Sequence, residues 1–209
     1  MTNKNKILNK VNSYYTEKIL THGSTPQGVD WNSKDSQEIR FNQLIKVFDN
    51  KDNINLLDFG AGYGALYQFL LQQNSGKFKY TGYDISEEMT NKGKELYGET
   101  SSIAWQNSLP KEKKYDYTIA SGIFNVRMNI VNSEWQDYIF DTLNKINALS
   151  TKGFSFNLLT SYSDNEFMRD NLYYAQPEEL FAYCKKKFSC QVALLHDYNL
   201  YEFTILVRK

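Results

Sequence analysis

The sequence predicts an α/β fold: a doubly wound sheet of seven strands, mostly parallel, with an antiparallel strand at the C-terminus and a helical cap at the N-terminus. Three observations carry this expectation. From residue 54 onward, apolar runs of strand length alternate with helical patterns, the order that produces parallel strands joined by crossover helices. The last two strand-like runs, 191–196 and 200–208, are too close together for a crossover, so they pair as an antiparallel hairpin. The 209 residues, 41% hydrophobic and 15% aromatic, fit one packed core better than two. Residues 1–209 are therefore expected to form a single domain, with the cap over 1–50 and the sheet core over 51–209.

The elements follow in order. A helix is expected over 4–20, then a loop through 22–32 punctuated by Gly23, Pro26 and Gly28. A second helix over 34–49 has Ser33 as its cap and Phe41, Leu44, Ile45 and Phe48 at helical spacing. Residues 54–59 read as a buried strand, 65–73 as a helix and 78–84 as a strand. A helix over 86–97 is capped by Ser86, with Glu87 and Glu88 in its first turn. Strands at 102–106 and 115–121 precede a helix over 134–149, for which Ser133 and Gln136 form a capping box and Ile139, Leu143 and Ile146 a buried stripe. After a strand at 153–160, Pro177 opens a helix that Lys185, Lys186 and Lys187 close.

Composition narrows the function classes. Lys plus Arg and Asp plus Glu both number 24, so no net field draws the protein to nucleic acid or an anionic membrane. Residues 1–11 lack the apolar stretch of a signal peptide, and no run approaches the ~20 apolar residues of a membrane span. A cytoplasmic protein, monomeric or homodimeric and acting on a small molecule, is the expectation. Cys184 and Cys190 match no common zinc or redox spacing and read as packing thiols, and two histidines, His22 and His196, cannot build a His-rich metal site.

The most informative stretch is Leu56-Leu57-Asp58-Phe59-Gly60-Ala61-Gly62-Tyr63-Gly64-Ala65-Leu66, a strand entering a Gly-x-Gly-x-Gly turn and then a helix. Glycines belong where backbone turns tightly against a ligand. Asp58 stands just before the turn, where a carboxylate can meet a cationic amino group, an unfavourable neighbour for a pyrophosphate. The third glycine also comes one residue earlier than in the dinucleotide pattern Gly-x-Gly-x-x-Gly. Asp84 ends the second strand, where an acid can accept both hydroxyls of a ribose.

These segments resemble the first two signature motifs of class I S-adenosylmethionine-dependent methyltransferases, a Rossmann-like family, and the order of elements is similar from residue 54 to the C-terminus. The resemblance implies S-adenosylmethionine as cofactor and S-adenosylhomocysteine as product, with Asp58 near the methionine end, Asp84 at the ribose, and Gly60, Ala61, Gly62, Gly64 and Ile85 as further cofactor contacts. By position it implies Asn107 and Ser108 at the adenine, although the family usually has an acid there and a turn asparagine is an equal reading. It further implies Ser121 and Gly122 at the methionine portion, with Phe124 and Asn125 near the acceptor. The Asp-Pro-Pro-Tyr and Asn-Pro-Pro-Tyr motifs of base and glutamine methylases are missing, which argues against nucleobase amino groups.

Segments 22–37, 121–125 and 196–209 together resemble bacterial methyltransferases of capsule and surface-polysaccharide modification, implying O-methylation of a sugar or a phosphoramidate. His196 and His22 are the candidate bases, since imidazole titrates near working pH; a turn role is the alternative for His196. Tyr14, Asp30, Trp31, Arg40 and Tyr198 are candidate acceptor contacts, with anchoring of the loop by Trp31 as the simpler alternative. Arg40, Arg127 and Arg169 are available cations for a phosphoryl acceptor. Competing readings are a non-catalytic cofactor-binding adaptor and a nicotinamide- or flavin-dependent oxidoreductase.

Overall fold

The computed structural model describes residues 3–29, 33–49, 52–73, 76–109 and 113–209. Strands β1 (Ile54–Phe59), β2 (Phe78–Tyr83), β3 (Ile103–Gln106), β4 (Tyr115–Ala120), β5 (Ser150–Thr160), β6 (Tyr174–Ala175), β7 (Gln191–Leu195) and β8 (Glu202–Arg208) make one sheet. Its order is β3-β2-β1-β4-β5-β8-β7, and β6 adds a short parallel pairing to β5. Only β8 runs against its neighbours, β5 and β7. The doubly wound sheet with a terminal hairpin is thus as expected, and the two-residue β6 is an addition that the sequence pattern did not reveal.

Strand period two places successive side chains of β1 on opposite faces. Leu57 and Phe59 join a core layer with Trp135, Ile139, Leu143 and Ile146 of helix α5 (Asn132–Leu149). Leu56 joins the other layer with Leu66 and Phe69 of α3 (Ala65–Gln72) and with Phe41 and Leu44 of α2 (Lys34–Leu44). Helix α2 therefore packs on the sheet as part of its core layer. Helix α1 (Asn3–His22) and the 3-10 turn Pro26–Val29 lie over the carboxyl edge. There Thr16 and Ser86 hydroxyls meet at 2.9 Å, fastening α1 to the start of α4 (Glu87–Tyr97).

Ser33 caps α2 and Ser86 caps α4, each accepting an amide hydrogen three residues on. Helix α2 stops at Leu44, and the expected last turn tightens into a 3-10 turn over Ile45–Val47. The capping box expected for α5 does not form. The helix starts at Asn132 with Val131 as its cap residue, so Ser133 lies inside the first turn and Gln136 donates to Glu179 instead. Pro177 opens α6 (Pro177–Lys187) as expected. Cys184 is buried in the core, its thiol pushed up to about 12 by burial, whereas Cys190 is exposed and not a packing residue. Among the described residues, no helix is long and apolar enough to cross a membrane.

Gly93 of α4 shows how tightly the β2–β3 edge is packed. A Cβ there would stand 2.5 Å from ring carbons of Trp105. Gly93→Ala gains up to ~1 kcal/mol of helix propensity but must displace a buried ring, which costs about 1–3 kcal/mol. The expected outcome is net destabilisation, measured as a lower urea midpoint at unchanged slope.

Candidate functional site

Strand order reverses between β1 and β4, the place in such sheets where the carboxyl ends of diverging strands leave a crevice. The turn after β1 lies in that crevice. Gly60, Gly62 and Gly64 have φ of 84°, 55° and 94°, all left-handed, so side chains at these positions would be strained. A Cβ on Gly60 would collide with Ile123, and one on Gly62 with Val29. The turn thus presents bare backbone, with Val29 and Ile123 directly above it.

Two carboxylates flank this backbone in a mainly apolar cavity of about 90 Å³. Asp84 accepts from the Gly62 amide at 2.9 Å and from the Ser86 amide at 3.0 Å. A carboxylate has about four acceptor positions, so these amides orient Asp84 and leave capacity for further donors. Burial raises its pKa, and the Ser86 and Gly62 amides pull it back. Asp58 is 2% exposed and accepts from the Tyr80 hydroxyl at 2.6 Å. Burial, first of all, raises Asp58 to about 7; the Tyr80 bond opposes the rise and the Asp84 charge adds to it. Such a carboxyl is poised to ionise when a cation arrives beside it.

Ala61, Ile85, Ser121 and Gly122 also line this cavity, and the Ser121 hydroxyl is buried without a protein partner. Gln37 and Phe41 of α2 complete one wall. Gly64 instead caps α3 beneath the turn, against Trp105. Asn107 and Ser108 are exposed and line a separate groove with Glu87, Thr90 and Lys94. They were expected at the adenine, and the structure sets them in a groove distinct from the cavity of the two acids.

A second, larger cavity of about 990 Å³ shares Gly122, Tyr15 and Val29 with the first. Tyr14, Asn125, Arg169, His196 and Glu202 are among its lining residues. His196 is exposed at its rim, 6.0 Å between ring centres from Tyr162 and 6.1 Å from Phe203. Asn125 is anchored by accepting from the Leu159 amide at 3.1 Å. Arg40 lines the cavity, yet it grips Glu202 through Nε at 2.8 Å and Nη2 at 2.7 Å, so its charge is already answered.

Several expected contacts belong elsewhere. Phe124 is fully buried against Tyr138 and Phe156, and its carbonyl accepts from the Trp135 indole at 2.8 Å; it is a core residue. Tyr198 is buried with its hydroxyl 2.9 Å from that of Thr204, and lines neither cavity. His22 is exposed at the end of α1, outside both cavities, its carbonyl accepting from the Thr25 hydroxyl at 3.0 Å. Arg127 clamps the carbonyls of Leu172, Ile130 and Asp170, which makes it a loop brace. Asp30 and Trp31 lie outside the described residues. The sequence reading missed Tyr80, Gln37, Asn157 and Glu202. A tyrosine two positions before a glycine in a buried strand, and lone polar residues within apolar strands, were the available signals.

Comparison with known proteins places this geometry. Residues 57–153 match the family described as "Methyltransferase domain". The chain is 46% identical over 165 residues to the Mycobacterium tuberculosis protein Rv1506c, which bears a methyltransferase name; the match spans 79% of this chain and 99% of that one. Its fold is similar to magnesium protoporphyrin IX methyltransferase of Synechocystis with bound S-adenosylhomocysteine, at TM-score 0.61, 14% identity and 100% of both chains. It is also similar to the Bradyrhizobium japonicum N-methyltransferase NodS, in complex with the same product, at TM-score 0.65, 12% identity, and 95% of this chain and 98% of that one. At these identities the two structures speak for the fold.

The raised Asp58 predicts a pH signature. Its native form holds a proton that the unfolded chain releases above 3.8, so its contribution to stability is full below that value and is lost as pH rises through about 7. Urea unfolding of the unliganded protein across this window is expected to show the decline, and Asp58→Asn to flatten it. Tyr80→Phe, which removes the opposing bond, shifts the loss to higher pH.

Proposed function

The chain belongs to the S-adenosylmethionine-dependent methyltransferases, and on that premise we propose that it methylates an oxygen of a small polyhydroxylated acceptor, a sugar or phosphoramidate precursor of a surface polysaccharide. The observation that carries this reading is the pairing of two cavities across Gly122: a narrow apolar one holding both acids, and a wide one lined by tyrosines, asparagines, charged groups and His196. The wide cavity is of the size that takes a small molecule.

When bound, S-adenosylmethionine supplies a methyl group activated by a sulfonium. The residues present fit it: two acids suited to an amino group and a ribose, bare glycine backbone between them, and the unpartnered Ser121 hydroxyl. Asp58 receives the amino group and Asp84 the ribose hydroxyls, while Gly60, Ala61, Gly62, Ser121 and Gly122 line the methionine portion. The open volume of about 90 Å³ is below the roughly 300 Å³ of an ordinary ligand pocket, so Val29 and its turn swing outward to admit the cofactor. Tyr14 and Asn125 face the acceptor. His196 takes the hydroxyl proton as the oxygen attacks, because an uncharged alcohol is a weak nucleophile until that proton leaves. The enzyme works in the cytoplasm as a monomer or homodimer, with no nucleic-acid or membrane partner.

Two outcomes are expected. Asp84→Ala weakens S-adenosylhomocysteine about 100-fold by calorimetry, the loss of two charge-assisted hydrogen bonds, while NAD binds neither form. Incubation of the enzyme with methyl-labelled S-adenosylmethionine and a panel of free sugars, nucleotide sugars and sugar phosphoramidates yields an O-methyl product, and His196→Ala slows its formation by about 10²–10⁴. Transfer to nitrogen, or an undiminished rate in the histidine variant, contradicts the assignment.

A further inference from the structure

A buried polar chain runs from α2 to the partition between the two cavities. The Gly122 amide donates to Asn157 Oδ1 at 2.9 Å. Asn157 turns its amide nitrogen to Glu202 Oε2 at 2.5 Å. The same carboxylate is held by Arg40 through two bonds, of 2.8 and 2.7 Å. Asn157 has no exposed surface, Glu202 2% and Arg40 6%, so water does not compete for these bonds. The four residues come from α2, β8, β5 and the loop after β4. Gly122, whose φ is 70°, is the one member that borders the cavity of the two acids as well as the wide cavity.

Apolar packing alone would serve β5 and β8 well, since replacing a buried ion pair by hydrophobic residues is often neutral or favourable. One attested use of such a network is to specify a geometry. Here the geometry is that of a left-handed turn whose amide and carbonyl stand at the boundary of both cavities. We propose that Asn157 and Glu202 are positioning residues that set the Gly122 turn, with Arg40 extending the line into α2, so that the seating of α2, which carries Gln37 and Phe41 into the cofactor cavity wall, and the alignment of cofactor against acceptor are one event. The inference rests on the cofactor occupying the cavity of Asp58 and Asp84 and is independent of the acceptor's identity.

The test uses the full chain and S-adenosylhomocysteine. Asn157→Ala is expected to weaken binding about tenfold and to displace the Gly122 amide resonance in a ¹⁵N correlation spectrum. The near-isosteric Glu202→Gln keeps the shape and removes the charge that grips Asn157, so it is expected to weaken binding severalfold and move the same resonance. In the double variant the loss is expected to be smaller than the product of the two single losses, because both residues act on the Gly122 turn. Losses that multiply, or a displaced Gly122 resonance with affinity kept within twofold, overturn the proposal, and Glu202→Gln decides the matter by the same resonance and affinity if Asn157→Ala does not fold. Failure of the unaltered protein to bind S-adenosylhomocysteine overturns the cofactor assignment and this proposal with it, and is distinguished by appearing before any substitution is made.

Discussion

A carboxylate taken out of water costs free energy unless polar groups or a cation answer it, and this molecule places two, Asp58 and Asp84, in one apolar cavity. Much of the surrounding structure manages that cost. The glycine turn aims the Gly62 amide at Asp84, the start of α4 supplies the Ser86 amide, and β2 brings the Tyr80 hydroxyl to Asp58. The two acids are not answered equally. Asp84 has two amides and is fixed, whereas Asp58 has one hydroxyl and remains near the point of ionisation at neutral pH. On the proposed reading, an amino cation of the cofactor would complete what the protein leaves undone at Asp58 and so couple ligand charge to binding.

The same economy of arrangement explains the placement of α2. A helix that merely roofed the sheet would be free to move with the loop beside it; α2 instead buries Phe41 and Leu44 in the core and clamps Glu202 of β8. Val29 and the wall made by Gln37 and Phe41 border the cavity of the two acids from different elements. The wide cavity lies beyond Gly122, where loops after β4, β5 and β7 contribute polar and aromatic side chains.

Local signals were legible in the sequence, and distant ones were not. The turn at 60–64, Asp58 and Asp84 were identified because strand, glycines and acids follow one another within a few residues, and backbone sterics dictate their use. Ser33 and Ser86 were readable as caps for the same reason. The Tyr80–Asp58 bond spans 22 residues, Asn157–Glu202 spans 45 and Arg40–Glu202 spans 162; such pairings depend on strand order and register. Phe124 and Tyr198 were misplaced because position beyond a strand end does not say whether a side chain turns to the cavity or to the core. The Ser133 box was overridden by a helix start two residues earlier, at Asn132.

A crystal structure with S-adenosylhomocysteine bound tests the central claim most directly. The account predicts the amino group within hydrogen-bond distance of Asp58, both ribose hydroxyls on Asp84, and Val29 displaced from its place over Gly62. A ligand seated with neither acid in contact would contradict it.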